Sequence, residues 1–398
     1  MGSAEWGRCA EAWVTSETEV PITLNVVEVD DIAAFRSAPA RSYGESTGPM
    51  SFPKVLRRRL DKFFSEQKIS PKADREMWIK IGVGLAVLAG SWIAIYALRP
   101  HSWKFAALYV LGGLAQTFLL LNIAHDSNHN AISRVPWVNQ MLNYVFDLCG
   151  ISSYMWRILH HRGHHACVNI HGEDDALTGR GLFRFTPHEP RLPVHRFQHI
   201  YGLFLYAFFS LDYVLVRDFE SFFAPKHDYL KRTQHPAREY AILFGGKAFY
   251  ITYMLILPVV LLGLSPWLVA GAFLLVHLVV GLSVSLVFQT THTIDTTYFP
   301  LSRDEFDNSV YHIFATTADY ATRNPVVGWL TGGLNHHIAH HLCPAVCHTH
   351  YAPLTRILEQ TAQEFGVPYR QHPTMARAIR HHLLLLKQLG TEELGNEG

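Results

Sequence analysis

The chain has 398 residues; 49% are hydrophobic, 13% aromatic and only 17% charged. Soluble domains carry roughly 25% charged residues, so this composition argues against a wholly soluble protein and for a membrane protein with a substantial water-facing part. The formal net charge of +1 excludes an electrostatic case for nucleic acid as a partner.

Residues 1–49 are polar, with scattered Ser, Glu, Thr and Pro, and lack the apolar segment of a secretory signal. They are expected to be a poorly structured, dispensable extension in front of a single domain over 50–398. Met50 opens a basic amphipathic stretch, Phe52-Pro-Lys-Val-Leu-Arg-Arg-Arg-Leu-Asp-Lys-Phe-Phe64. Four segments follow that are long and apolar enough to cross a bilayer, which takes about 20 residues. They cover 79–98, 104–124, 241–263 and 267–289. Short turns, Arg99-Pro-His-Ser102 and Leu264-Ser-Pro266, join them into two helical hairpins. The apolar stretches 138–151 and 201–217 are short or interrupted by Asp212, and read as interfacial or cap helices.

A hairpin returns the chain to the side it left. The N-terminal stretch, residues 125–240 and residues 290–398 therefore share one side. Lys54, Arg57, Arg58, Arg59, Lys62, Lys68, Lys72, Arg75 and Lys80 crowd that side, and the positive-inside rule makes it cytoplasmic.

Ten of the 25 histidines fall in three clusters on that same side. They read His125-Asp-Ser-Asn-His129, His160-His161-Arg-Gly-His164-His165 and His336-His337-Ile-Ala-His340-His341. Histidines at i, i+3 and i+4 of a helix share one face. Three such faces brought together form a metal site of imidazole, since burying so many unpartnered imidazoles is costly. Zinc, usually four-coordinate, is saturated by half of these ligands. Eight or nine imidazoles suit two first-row ions of higher coordination number, and imidazole suits iron. Two irons at a membrane surface imply activation of dioxygen against an unreactive C–H bond. Single histidines are read as ordinary hydrogen-bonded residues: His101, His277 and His372, with His195 and His199 expected at the lipid headgroups. Cys343 and Cys347, with His348 and His350, depart from zinc-site spacing and are read as packing. The five scattered cysteines form no disulfide framework.

The flanking sequence resembles the membrane fatty acid desaturase family. The likeness rests on Asn122-Ile-Ala-His-Asp-Ser-Asn-His129, on Trp156-Arg-Ile through Asn169, and on Thr186-Pro-His-Glu-Pro190 with His195-Arg-Phe-Gln-His199. It continues in Phe288-Gln-Thr-Thr-His292, Thr316-Thr-Ala-Asp-Tyr320 and Gly332-Gly-Leu-Asn-His-His-Ile-Ala-His-His-Leu-Cys-Pro344. It is nearest the bacterial front-end, linoleoyl-CoA type of branch. That resemblance implies an all-α membrane protein: four transmembrane helices in two hairpins, and a cytoplasmic helical cap holding a His-ligated di-iron site. It implies an O2-dependent oxidoreductase that places a double bond in an acyl chain carried on CoA, acyl carrier protein or lipid. It implies two Fe ions as cofactor and a bacterial inner membrane as location. The implied ligands are His125, His129, either His160 or His161, His164, His165, His292, His337, His340 and His341. His312 and His336 are expected beside the ligands, with carboxylates from Asp126 and the run Glu173, Asp174, Asp175 accepting imidazole N–H bonds. The family's Gln-Ile-Glu-His-His is here His337-Ile-Ala339-His-His, which removes an acceptor and adds a stronger ligand.

No haem, flavin, nicotinamide or iron–sulfur motif is found, so electrons are expected from a separate ferredoxin, or a b-type cytochrome with its reductase. An apolar tunnel lined from the first hairpin and residues 138–156, with Trp156 and Trp329 as candidate walls, is expected to position the substrate. The competing readings are a di-iron hydroxylase or acetylenase on the same scaffold, and more remotely a metal-binding membrane transporter.

Overall fold

The structure, a computed structural model, describes residues 51–224, 227–231 and 233–391. The expected extension at 1–49 lies outside the described residues. Helix α1, Phe52–Gln67, begins with Pro53 in its first turn and stops at Lys68, whose backbone is left-handed. It buries Phe52, Val55, Leu56 and Leu60, one face at helical spacing. Asp74 then caps α2, Arg75–Leu98, by accepting from the Met77 amide.

Four helices are long and apolar enough to cross a membrane: α2, α3 (Ser102–Asn128), α4 (Ala237–Leu262) and α5 (Pro266–His292). The most apolar windows of α3 and α5 are 61% and 50% buried, against 28% for α2 and 22% for α4, so α3 and α5 form the inner pair. Gly113 permits their contact, because a Cβ there would lie 2.5 Å from Val276. Exposed Trp103 and Trp267 begin α3 and α5 on the hairpin-turn side, while exposed Trp78 and Trp137 mark the opposite side. Indoles at these two levels form the usual interfacial belts. Three of the expected spans lie inside these helices, and the other, 241–263, runs one residue past Leu262. The main difference is at the C-terminal ends of α3 and α5, which run on as helix to Asn128 and through His292.

The segment at 193–223 is two helices, Pro193–Tyr206 and Phe209–Phe223, bent by 70°. It packs against α5 where Gly281 meets the Ala207 carbonyl at 2.3 Å from its would-be Cβ. The remainder forms a helical cap. It includes α6 (Ser309–Thr316), α7 (His337–Leu342), α8 (Tyr351–Glu364) and α9 (Met375–Thr391). Ile338 and Ala339 of α7 pack with Leu354 and Leu358 of α8 and with Leu56 of α1. Among the described residues the strand pairing is a single two-residue parallel match of Asp319–Tyr320 with Gln371–His372. The fold is thus the expected all-α membrane architecture of two hairpins and a cap.

Candidate metal centre

The three histidine clusters reach the site on different local structures. Helix α3 makes a π turn over Leu120–Ala124 and then carries His125 on its last turn, with His129 just beyond. The second cluster lies in a π turn over Leu159–His165 that continues a short helix, Ser153–Ile158. The third lies on α7. The expectation of uniform α-helical spacing therefore needs correction. In a π turn residues five apart approach one another, and such turns are frequent at functional sites. His160 and His165 accordingly meet, with Nε2 atoms 3.1 Å apart.

Two groups of imidazoles result. His125, His129, His160 and His340 form one, and His164, His292, His337 and His341 the other. His165 lies between them, with His340 and His341. The doubled histidines of the second and third clusters separate their rings. His164 and His341 go to one group, and His340 goes to the other. Adjacent helical residues point about 100° apart, so a His-His pair is well placed to serve two centres at once.

The donor set fits metal ions. The Nε2 atoms of His129 and His160 are 2.9 Å apart, those of His165 and His340 also 2.9 Å, and those of His292 and His341 3.0 Å. Both ring nitrogens of His125, and Nε2 of His337, are buried with no hydrogen-bond partner. Burial, followed by the neighbouring imidazoles, pushes His129, His160, His165, His340 and His341 well below the ordinary histidine pKa. Burial does the same to His337, with His292 as the next cause. Neutral imidazoles with convergent lone pairs are what a cation requires.

The outward-facing nitrogens are held. Nδ1 of His164 lies 3.1 Å from Asp174, whose carboxylate also accepts from the Asn169 and Ala176 amides, each at 2.8 Å. Nδ1 of His337 lies 3.0 Å from the Leu334 carbonyl, and Nδ1 of His292 lies 3.2 Å from that of Thr316. These bonds set the ring orientation and leave Nε2 directed inward.

Several predicted positions lie elsewhere. His161 is outside both groups, half-buried, with Nε2 3.5 Å from the Asn128 amide. The π turn brings its neighbour His160 inward instead. His312 bonds the Val168 carbonyl and His336 the Thr355 hydroxyl, so neither bonds an imidazole of the two groups. Asp175 pairs with Arg217 rather than with a histidine of the clusters. His195 is buried against the Gly181 carbonyl and the Leu192 amide instead of facing headgroups. Ala339 packs in the apolar core beneath α7, away from both groups. Trp329 packs against Phe118 with tilted rings, while Trp156 stacks on His160 with ring centroids 5.5 Å apart.

Asp126 lies between the first imidazole group and His348, with one oxygen 3.8 Å from His125 Nδ1. It accepts from the His348 amide at 3.0 Å and from His348 Nδ1 at 2.8 Å. Nε2 of His348 lies 2.7 Å from the buried Lys80 ammonium. Asp126, His348 and Cys347 also cluster, although Cys343 does not join them. Sequence reasoning missed this Lys80–His348–Asp126 chain because its members are 46 and 222 positions apart. It also missed Asp319, whose carboxylate accepts from the Ile338 amide at 2.9 Å and from the Tyr369 hydroxyl. Asp319 so fixes the first turn of α7, and burial pushes its carboxyl up to about 7. The lone signal was its place in the Thr316–Tyr320 stretch.

Beside His125 lies an apolar cavity lined by Leu120, Leu121, Phe146, Ile151, Trp156, Phe209, Ser210, Val280, Val284 and Phe288. These residues come from α3, from 146–156 and from α5. A metal-binding histidine shell opening on an apolar cavity suits oxidation of a hydrocarbon. The family model for fatty acid desaturase matches residues 101–373.

The chain belongs to the fatty acid desaturase family.

It is 32% identical over 355 residues to an sn-1 linoleoyl-lipid 6-desaturase of Synechocystis sp., covering 86% of this chain and 97% of the relative. It is 31% identical to the sn-1 linoleoyl-lipid 6-desaturase of Arthrospira platensis, covering 87% and 94%. An acyl-lipid (8-3)-desaturase of Physcomitrium patens is 31% identical over 86% of this chain and 72% of its own length. The family makes the protein an oxidoreductase of fatty acid metabolism, with a fatty acyl substrate and dioxygen as oxidant. Neither the hydroxylase nor the transporter alternative is favoured by these relatives, all named desaturases.

Proposed function

We propose that this desaturase introduces a double bond into an acyl chain carried on a membrane lipid, toward the carboxyl end of the chain. The single observation that carries the chemistry is the pair of imidazole groups beside an apolar cavity. The lipid carrier, rather than CoA or acyl carrier protein, is supported by the acyl-lipid names of the three relatives. A bacterial inner membrane fits the near-complete coverage of the two cyanobacterial relatives. The basic residues around α1 support a cytoplasmic active face.

His125, His129, His160 and His340 would hold one iron, and His164, His292, His337 and His341 the other, with His165 between them. When bound, two irons supply the reduction of dioxygen and the oxidation of C–H bonds. The chain's residues supply everything else. Asp174 and the Leu334 and Thr316 carbonyls keep His164, His337 and His292 in their tautomers. Phe288, Trp156 and Phe146 wall a small apolar cavity beside His125, where a methylene would be held. Exposed Lys62 and Lys68 flank the cap on the same side, a surface suited to a separate acidic ferredoxin or b-type cytochrome.

Lipid profiling of a host expressing the chain, with its electron donors co-expressed, tests the reading. New unsaturated lipids are expected from the wild type and none from His340→Ala. An unchanged lipid profile with the wild type, despite electron supply, would refute it. Metal analysis should find about two irons per chain if both groups fill.

A further inference from the structure

Two carboxylates stand beside the imidazole groups, and they differ in what opposes their charge. Asp174, behind His164, takes its bonds from His164 Nδ1 and from the Asn169 and Ala176 amides. All three are neutral donors. Asp126, beside His125, takes its bonds from the amide and Nδ1 of His348, at 3.0 and 2.8 Å. His348 Nε2 in turn lies 2.7 Å from the Lys80 ammonium. Lys80, His348 and Asp126 are 1%, 4% and 2% exposed, so water screens little of their charge. Glu76 and Asp74, the other carboxylates acting on Lys80, are exposed and half-buried, and are screened more.

The hydrogens of this chain fall in one way. An ammonium has no acceptor, so Lys80 donates to His348 Nε2. The imidazole then carries its own hydrogen on Nδ1. It donates that hydrogen to Asp126 Oδ2, the oxygen that also accepts the His348 amide. The other Asp126 oxygen faces His125, 3.8 Å from its Nδ1. A positive charge at Lys80 and a negative charge at Asp126 thus oppose each other across a neutral ring. Lys80 comes from α2 and His348 from the turn before α8, so the chain also ties the first span to the cap. A tie alone does not account for the charges, because a buried ion pair is often no more stabilising than apolar residues of the same volume.

A fixed charge beside a metal ion shifts the balance between its oxidation states, and a carboxylate favours the higher one. The second group faces the Asp174 charge with neutral donors around it. The first faces the Asp126 charge with Lys80 set against it. We propose that Lys80 is a positioning residue which, acting through His348, offsets the Asp126 charge and makes the first imidazole group the more readily reduced of the two. This rests on the two-iron reading and gives it an order: the group of His125, His129, His160 and His340 takes the first electron. Each step is one electron from the separate carrier to one ferric ion, giving a ferrous ion, with no bond made or broken and no proton moved.

The test titrates the iron-loaded full chain in detergent with dithionite through redox mediators, while Mössbauer spectra count ferric and ferrous ions. The wild type should reduce in two separate steps. Lys80→Met should lower the ferrous-to-ferric ratio of the first step about tenfold at a fixed potential, the order expected for one buried unit charge at an effective dielectric of about 20. Lys80→Arg, which keeps the charge, should stay within about threefold of the wild type. Asp126→Asn alone should shift the first step the opposite way, which keeps the test open if Lys80→Met fails to accumulate. Asp174→Asn should make the second step easier and leave the first in place. A side chain that merely ties α2 to the cap would move none of these ratios. Wild-type reduction in a single step, or ratios unchanged in Lys80→Met and Asp126→Asn protein that retains its iron, overturns the charge role and leaves the two-iron reading standing. A wild type that binds no iron strikes the two-iron reading itself, and the role of Lys80 falls with it.

Discussion

Replacing Asp174 measures how far hydrogen bonds behind the imidazoles support the metal centre. Its carboxylate is fully buried and accepts three bonds, from His164 Nδ1 and from the Asn169 and Ala176 amides. Asp174→Ala leaves the buried Asn169 amide without an acceptor, so about 1–3 kcal/mol of stability is at stake, while the Ala176 amide belongs to an exposed residue. It also frees His164 to rotate and change tautomer, which typically costs about 10–100-fold in metal affinity. Asp174→Asn separates the two effects. It keeps the size and one acceptor oxygen but lacks the charge that complements a metal-bound imidazole. In detergent, Asp174→Asn should melt within a few degrees of the wild type, yet lose iron to a chelator about tenfold more readily. Asp174→Ala should show both the lower melting temperature and the weaker iron. The measurements are thermal unfolding and iron retention against graded chelator. Wild-type iron retention in both variants would refute the reasoning, because His164 would then need no partner to hold its ring.

Three further outcomes are expected. His160→Ala should abolish desaturation and lower iron content, whereas His161→Ala should retain most of both, as measured by lipid profile and metal analysis; the reverse result would overturn the π-turn assignment. Lys80→Met should destabilise the protein by about 3–5 kcal/mol, the usual cost of removing one member of a buried charged network. Lys80→Met combined with Asp126→Asn should recover part of that loss in a denaturant or thermal series, and strict additivity would disprove the coupling. Gly113→Leu should abolish accumulation of folded protein by separating α3 from α5, read as loss of a monodisperse peak in detergent.

Much of the architecture was legible because hydrophobicity is a local property. A run of apolar residues near 79–98 or 267–289 has to be helical in lipid to satisfy its own backbone, so the spans follow from composition and length alone. The short turns at 99–102 and 264–266 then require hairpins, which brings all three clusters to one side. The number of clustered imidazoles, which the structure gathers into two groups, was also legible from residue identity. The spacing pattern named the family.

Which imidazole meets which was not legible. A one-residue change in helical pitch decides between His160 and His161, and the π turns at 120–124 and 159–165 are set by packing rather than by any local code. The same holds for the partners behind the site. Asp174 lies ten residues from His164 and was anticipated. Asp319, His348 and Lys80 reach their places only when α2, α7 and the cap close around the ends of α3 and α5. The sequence by itself determined the helices, their pairing into hairpins and the metal-binding chemistry, because these depend on local polarity and residue type. Only the tertiary structure decided the division of eight histidines between two groups with His165 between them, the buried Lys80–His348–Asp126 chain and the Ser210–His277–Tyr250 hydrogen bonds. Each of these depends on a contact between segments whose separation along the chain carries no signal of their meeting in space.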